Sequence, residues 1–161
     1  MSLPDDFVGA VCLLVNKPVE VLIDVADFDS VSPHNWTIRD GRNTRYVVRC
    51  EWRENKQIRL HRQILSAPDT ALVDHRNRNG LDNRRKNILL CSHSENNCNV
   101  PARRNSASGL KGVWEYRPGM WRAVIKMQGR RFHLGCFPTP EQAHAAYKKA
   151  AGVFHGEFAC R

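Results

Sequence analysis

Over the first sixty residues, apolar positions fall in short runs separated by turn-forming residues. Val19-Glu20-Val21-Leu22-Ile23 and Tyr46-Val47-Val48-Arg49-Cys50 are β-branched runs of strand length. Asp40-Gly41-Arg42-Asn43 predicts a turn between Trp36-Thr37-Ile38 and the run that begins at Tyr46. Asp27-Phe28-Asp29 predicts one short helical turn. Residues 59–65 place Leu60, Ile64 and Leu65 at helical spacing, and Ala67-Pro68-Asp69 ends that segment.

The pattern then changes. Residues 72–100 read as two short apolar strands flanking a long polar loop, with a helix beginning at Ser92 or Ser94, a β-β-α order. Residues 101–109 are polar and without periodicity, as a linker would be. The last fifty residues predict three strands, at 112–116, 121–127 and 131–137, with turns at Pro118-Gly119 and Gln128-Gly129. A helix follows: Thr139 suits the N-cap, Pro140 the first helical position, and Gln142 completes a capping box. Its apolar stripe is Ala143, Ala146, Tyr147, Ala150 and Phe154. The expected fold class is α+β. A β-rich N-terminal region merges into a ββα unit, and a three-stranded antiparallel sheet packed on one helix follows. The expected division is 1–98, with the ββα core at about 60–98, a linker at 99–108, and a C-terminal domain at 109–161.

Charge sharpens this picture. The formal net charge is +9. Residues 1–60 carry eight Lys/Arg against nine Asp/Glu, residues 61–108 eight against four, and residues 109–161 nine against three. A chain that grows basic toward its C-terminus, without a block of like charge, points to a polyanion-binding surface on folded domains. The six cysteines form no C-x-x-C pair, so no structural zinc is expected. No secretory signal is read ahead of them. They are expected as reduced thiols in a cytoplasm, several of them in cores. No apolar run approaches the roughly 20 residues of a membrane span.

The chemistry concentrates between Asp74 and Asn96. Asp74 and His75 end the first strand of the β-β-α segment, where the chain can turn both side chains toward one site. Asn96, near the start of the helix, can face them. Phosphodiester hydrolysis needs an activated water and a way to carry charge on the leaving oxygen. One carboxylate and one amide oxygen suffice for a magnesium ion that keeps several waters, and a neutral histidine can deprotonate the attacking water. An Asp-His turn with asparagines at loop and cap positions gives the same residue pattern.

The string D-H-R-N-R-N-G-L-D-N-R-R-K-N-I-L-L-C-S-H-S-E-N-N, residues 74–97, resembles the HNH nucleases of phage and intron-homing kind. The upstream His61-Arg62 matches the pair that commonly precedes that unit. The likeness covers about residues 60–98. It implies a metal-dependent DNA endonuclease in which Asp74 and Asn96 hold one divalent cation, Mg2+ with Mn2+ able to substitute. It further implies His75 as general base and Asn87 as the middle asparagine that ties the loop to the hairpin and so orients His75. Arg78 and Asn79 precede Gly80, where the family has an acidic residue and an earlier glycine. His93 reads as a solvent-facing side chain at the helix entry. His61 packs against the hairpin, or else touches phosphate. Arg76, Arg78, Arg84, Arg85 and Lys86 are expected to line a phosphate track, or a solvated loop.

In the C-terminal segment, strand alternation sends Trp121, Ala123 and Ile125, with Phe132 and Leu134, toward the helix. Arg122, Val124 and Lys126 face the other way, with Arg131 and His133. Trp114 and Tyr116 join them beside Lys111. Such a cationic face with interleaved aromatics can contact phosphates and base edges. Residues 108–159, with L-G-C-F-P-T-P-E-Q-A-H-A-A-Y-K-K-A-A at 134–151, resemble the DNA-binding domain of plant APETALA-type (ethylene-response) factors. That likeness puts Lys111, Trp114, Tyr116, Lys126, Arg131 and His133 on DNA-contact positions, and Arg122 lies on the same face. The partner implied is double-stranded DNA, with no membrane. A monomer is the favoured state, in a phage-encoded protein acting in the host cytoplasm. The alternative is a non-catalytic DNA-binding regulator with an inactive HNH unit.

Overall fold

The structure is a computed structural model that describes residues 10–12, 19–102, 106–127 and 129–156. The fold is β-rich α+β, and all its strand ladders are antiparallel. The chain divides into two units, Met1–Ser92 and His93–Arg161. The division falls ahead of the segment read as the third member of the β-β-α order, so that helix belongs with the second unit.

In the first unit, β1 (Ala10–Cys12) pairs with β2 (Leu22–Asp24), with Val11 opposite Ile23. A 3-10 turn, Val25–Asp27, runs into α1 (Phe28–Val31), the short helical segment expected around Asp27. Then β3 (Thr37–Asp40), β4 (Arg45–Glu51) and β5 (Lys56–Arg59) form a three-stranded meander. Lys-Gln-Ile-Arg has no strand pattern of its own, and the ladder with β4 holds it extended, with Ile58 opposite Arg49. Next come α2 (Leu60–Ile64) and the two-stranded hairpin of β6 (Leu72–His75) and β7 (Ile88–Cys91).

A two-stranded hairpin cannot bury a core alone. Here one cluster supplies it: Val21 and Ile23 from the β2 region, Val31, Trp36, Ile38, Val47, Leu60 and Ile64, with Leu81 and Ile88 from the hairpin. The Trp36 indole N–H donates to the Val31 carbonyl at 2.9 Å, so the largest core side chain leaves no orphaned donor. The N-terminal region and the hairpin therefore share one core. A parallel bridge between Leu22 and Asp82 adds backbone contact to that apolar packing.

The second unit holds α3 (His93–Asn99), the sheet β8 (Val113–Arg117), β9 (Met120–Met127) and β10 (Arg130–Phe137), and α4 (Pro140–Phe154). The sheet order is β10-β9-β8. The Thr139 hydroxyl accepts from the Gln142 N–H at 3.3 Å and Pro140 opens the helix. The sheet buries Val113, Ala123 and Ile125 against Ala143, Tyr147 and Ala151 of α4, with Trp121 and Leu134 partly covered. Two expectations are corrected. Phe154 and Phe132 are both exposed, and Ala151 rather than Phe154 carries the buried stripe to the end of the helix. Phe132 lies opposite Ile125 on an edge strand, where no further strand covers it.

Among the described cysteine side chains Cys91 is buried, Cys98 is half-buried, and Cys50 and Cys136 are exposed, fewer in cores than expected. Cys12 has no described side chain, and Cys160, Gln128 and residues 103–105 of the expected linker lie outside the described residues. Among the described residues no helix is long and apolar enough to cross a membrane.

Candidate functional site

The loop that joins β6 to β7 spans residues 76–87 and is held by side-chain amides and carboxylates together with backbone turns. The Asn77 N–H donates to Asn87 Oδ1 at 3.0 Å, and Asn77 Nδ2 donates to Asp82 Oδ2 at 2.9 Å. Asn87 Nδ2 donates to the Asp82 carbonyl at 2.7 Å. The Asn79 N–H donates to Asn77 Oδ1, and the Leu81 N–H to Asn79 Oδ1, at 2.9 and 3.1 Å. Arg78 takes a left-handed backbone, φ 61°, a conformation glycine and asparagine adopt more easily. Gly80 passes so close to β4 that an added Cβ would lie 2.3 Å from the Arg45 carbonyl oxygen. These contacts fix the backbone of the loop around Gly80.

Backbone hydrogen bonds also tie the loop to the N-terminal region. The Asn83 N–H donates to the Leu22 carbonyl at 2.7 Å, and the Leu22 N–H to the Leu81 carbonyl at 2.9 Å. Arg84 grips Asp82 in a bidentate pair, 2.7 Å on both arms. Burial works to raise the Asp82 carboxyl, but Arg84, together with Asn77, holds it below the ordinary carboxylate range. Arg85 pairs with the buried Asp27 at 2.7 Å, while its backbone N–H donates to Asp24 at 2.7 Å. Arg84 and Arg85 were expected on a phosphate track. The structure instead commits both guanidinium groups to carboxylates inside the unit. Arg76, Arg78 and Lys86 are exposed on the loop.

Within this frame, Asp74 and His75 stand opposite Leu89 and Ile88 at the end of the hairpin ladder. Asp74 Oδ1 accepts from the His75 N–H at 2.9 Å, which fixes the carboxylate against the backbone. The His75 ring is only 4% exposed. Its Nε2 faces Asn83 Oδ1 at 3.3 Å, while Asn83 Nδ2 donates to the Gly80 carbonyl at 3.4 Å. An amide oxygen only accepts, so this pattern assigns the proton of neutral His75 to Nε2 and the lone pair to Nδ1. Burial pushes the His75 imidazole below its ordinary value, against the opposing pull of Asn83, Asp74 and Asp82. The neutral form of the ring is therefore favoured.

Asn87 braces the loop backbone next to the hairpin, and Asn83, which was not singled out from the sequence, is the residue that touches the His75 ring. Asn83 stands in the D-N-R triplet of the motif, where its burial was not legible from residue type. The structure also adds two aromatic neighbours. The Tyr46 ring lies 6.1 Å from that of His75 and 5.8 Å from that of His61, and His61 lies 4.9 Å from His75. His61 is thus a buried partner of the hairpin. Burial, with His75, Arg59 and Arg62 around it, pushes its pKa down to about 3.

Among the described residues no group of three His, Cys, Asp or Glu could hold a metal ion. Magnesium does not require such a group, because it retains waters and takes one or two carboxylates. The half-buried Asp74 carboxylate, already oriented by a backbone N–H, fits that demand. Asn96, the other expected ligand, lies on α3 in the second unit. Its partnership with Asp74 remains an expectation from the sequence pattern.

The expected nucleic-acid face is a separate surface in the second unit. Cross-strand pairs put Trp114 beside Arg122, His133 beside Val124 and Arg131 beside Lys126. Trp114, Tyr116, Lys126, Arg131 and His133 are exposed. The Arg122 guanidinium lies 3.8 Å from the Tyr116 ring centroid, and that of Arg117 5.1 Å from it. Lys111 departs from this face. Its ammonium donates to the Cys98 carbonyl at 2.6 Å and also to those of Asn97 and Val100, which end α3. A cation there suits the negative end of a helix. His155 Nδ1 lies 3.4 Å from Cys98 Sγ, a second tie between α3 and its own unit.

No family model matches the chain, and no solved structure matches it. The chain is similar to "Protein 3.8" of Escherichia phage T7, with 28% identity over 110 residues that span 65% of this chain and 90% of that protein.

Proposed function

We propose that the protein is a metal-dependent DNA endonuclease of the HNH type, with His75 as general base and a C-terminal sheet that engages duplex DNA. The observation that carries this reading is the adjacency of Asp74 and His75 at the end of β6, with His75 held neutral by burial and oriented through Asn83. A carboxylate and a neutral imidazole at consecutive positions are the groups that hydrolysis assisted by one hard cation needs. The similarity to a phage protein supports the phage-encoded part of this reading.

Asp74 would hold the divalent cation, and the sequence pattern adds Asn96. When bound, such a cation stabilises charge on the phosphate and leaving oxygens. The chain's own residues do the rest. The Asn83 side chain orients the His75 ring through Nε2, and His75 would take the proton of an attacking water. Asn87, Asp82 and Arg84 hold the loop that carries Asn83. The exposed Lys126, Arg131 and His133 meet phosphates, while Trp114 and Tyr116 offer flat surfaces to the DNA.

Incubation of supercoiled plasmid with the protein tests the reading, with magnesium or with chelator, for wild type and His75→Ala. Nicked or linear product is expected only from wild type with magnesium. Tight binding of DNA by wild type without any cleavage would replace the nuclease by the regulator. Equal cleavage by both proteins would remove His75 from the mechanism.

A further inference from the structure

The turn between β4 and β5 spans residues 52–55, and Trp52 at its start is 89% exposed. An indole is among the costliest side chains to leave in water, and burying one removes about 150–250 Å² of surface. An open groove of about 540 Å³ adjoins it, lined by His34, Asn35, Thr37, Arg49, Glu51 and Trp52 among others. That volume lies within the range of about 300–1,000 Å³ common to small-molecule sites.

The groove is preorganised at one wall. Arg49 donates through Nε to Gln63 Oε1 at 3.0 Å and through Nη1 to Glu51 at 2.7 Å, and its guanidinium lies 5.9 Å from the centroid of the Trp36 ring. The His34 ring meets Trp36 edge-on, with centroids 6.2 Å apart. The cleft thus combines one solvated flat apolar face with donors and acceptors on His34, Asn35, Thr37 and Glu51. Such a lining does not suit an acyl chain or the apolar stripe of a helix, which need continuous hydrophobic walls. It does suit a flat heterocycle with a polar edge. Arg53, next in sequence to Trp52, is exposed.

We propose that this groove receives an unpaired nucleobase of the DNA substrate, stacked on Trp52 with its edge toward Asn35 and Thr37. The proposal rests on the DNA-acting reading above and adds a second contact site, in the first unit, apart from the cationic sheet. A base inside an intact duplex has no free face, so the groove selects DNA with an unstacked or unpaired position.

The test is fluorescence anisotropy of the full-length protein with labelled duplexes, one fully paired and one carrying a single-base bulge. Base stacking on an aromatic side chain is worth about 1–3 kcal/mol, so wild type is expected to prefer the bulged duplex by about 5- to 150-fold. Trp52→Ala is expected to lose that preference while keeping its affinity for the paired duplex, and Trp52→Phe to retain most of it. Far-UV circular dichroism matched to wild type shows that the exposed position has not altered the fold. A preference of equal size in wild type and Trp52→Ala, or none in wild type, would overturn the groove assignment while leaving duplex binding in place. Failure of wild type to bind either duplex would overturn the DNA-acting reading together with it.

Discussion

The His61 ring stands edge-on to the His75 ring, with centroids 4.9 Å apart and planes at 88°. Both rings are buried, and Nδ1 of His61 has no hydrogen-bond partner among the described residues. Two imidazoles this close cannot both take a proton without facing each other's charge, and burial already penalises each proton. Burial is what favours the neutral form of His75, and a proton on His75 would in turn oppose one on His61.

One consequence is a pH dependence of stability. His61 is pushed down to about 3 in the folded protein, from 6.5, by burial first and then by His75, Arg59 and Arg62. Above pH 6.5 neither state holds this proton, so stability is full there. Below 6.5 the unfolded chain binds a proton that the folded chain refuses. Stability then falls, by about 1.4 kcal/mol for each pH unit from this group alone, until pH nears 3. Burial shifts His75 in the same direction. Urea unfolding of wild type and His61→Phe at pH 7, 6, 5 and 4 measures this. The variant is expected to lose less stability on acidification, and parallel curves would contradict the account.

The loop bracing gives a second expectation. Asn87 is buried and bridges the Asn77 N–H to the Asp82 carbonyl. Asn87→Ala leaves both groups without that partner, at a cost of about 1–3 kcal/mol. Cleavage is expected to fall with it, because Asn83 rides on the same loop, while DNA affinity stays within twofold. Unchanged stability in thermal melts would show that the loop does not depend on Asn87.

The arginines divide into two groups that a salt titration separates. Arg84 and Arg85 are committed to Asp82 and Asp27. Arg85→Ala is expected to destabilise the protein by about 1–3 kcal/mol, since Asp27 is left buried without its partner, and to leave the salt dependence of DNA binding unchanged. Lys126→Ala combined with Arg131→Ala is expected to do the reverse. Each lost phosphate contact flattens the slope of log affinity against log salt by about 0.9. A flattened slope in Arg85→Ala would return that residue to the phosphate track.

A fourth expectation concerns the second unit alone. Gly112 has φ +74°, and an added Cβ would lie 2.0 Å from the Tyr147 ring. Gly129 has φ +81° with nothing within 4 Å of its added Cβ. Gly112→Ala is therefore expected to cost more than Gly129→Ala, by about 1–3 kcal/mol, because it adds overpacking to the shared backbone strain. Differential scanning calorimetry of the two variants decides it, and equal costs would mean that Tyr147 yields freely.

Much of this fold was legible because it is written in local pattern. The three C-terminal strands and the helix capped by Thr139 follow from alternation, glycine turns and a capping residue within a few positions of one another. The β4 run at Tyr46 and the short α2 were equally plain. What escaped depends on partners distant in sequence. Arg85 reads as a free basic residue until Asp24 and Asp27, roughly sixty positions upstream, are brought to it. Lys111 reads as a DNA contact until it is seen closing the carbonyls of α3. Asn83 and Asn87 carry the same side chain four positions apart, and only the folded loop separates the one that touches His75 from the one that braces the backbone. Strand Lys56–Arg59 lacked a signal because its extended form comes from the ladder with β4 and not from its own residues.

The central claim is that His75 is the general base of a DNA-hydrolysing site. Single-turnover cleavage of an end-labelled duplex by saturating wild type and His75→Ala, with magnesium present and binding measured on the same samples, tests it most directly. The account expects the variant to bind DNA as wild type does and to cleave about 10²–10⁴-fold more slowly. Equal rates from the two proteins, or no magnesium-dependent cleavage by wild type that binds the duplex, would contradict it.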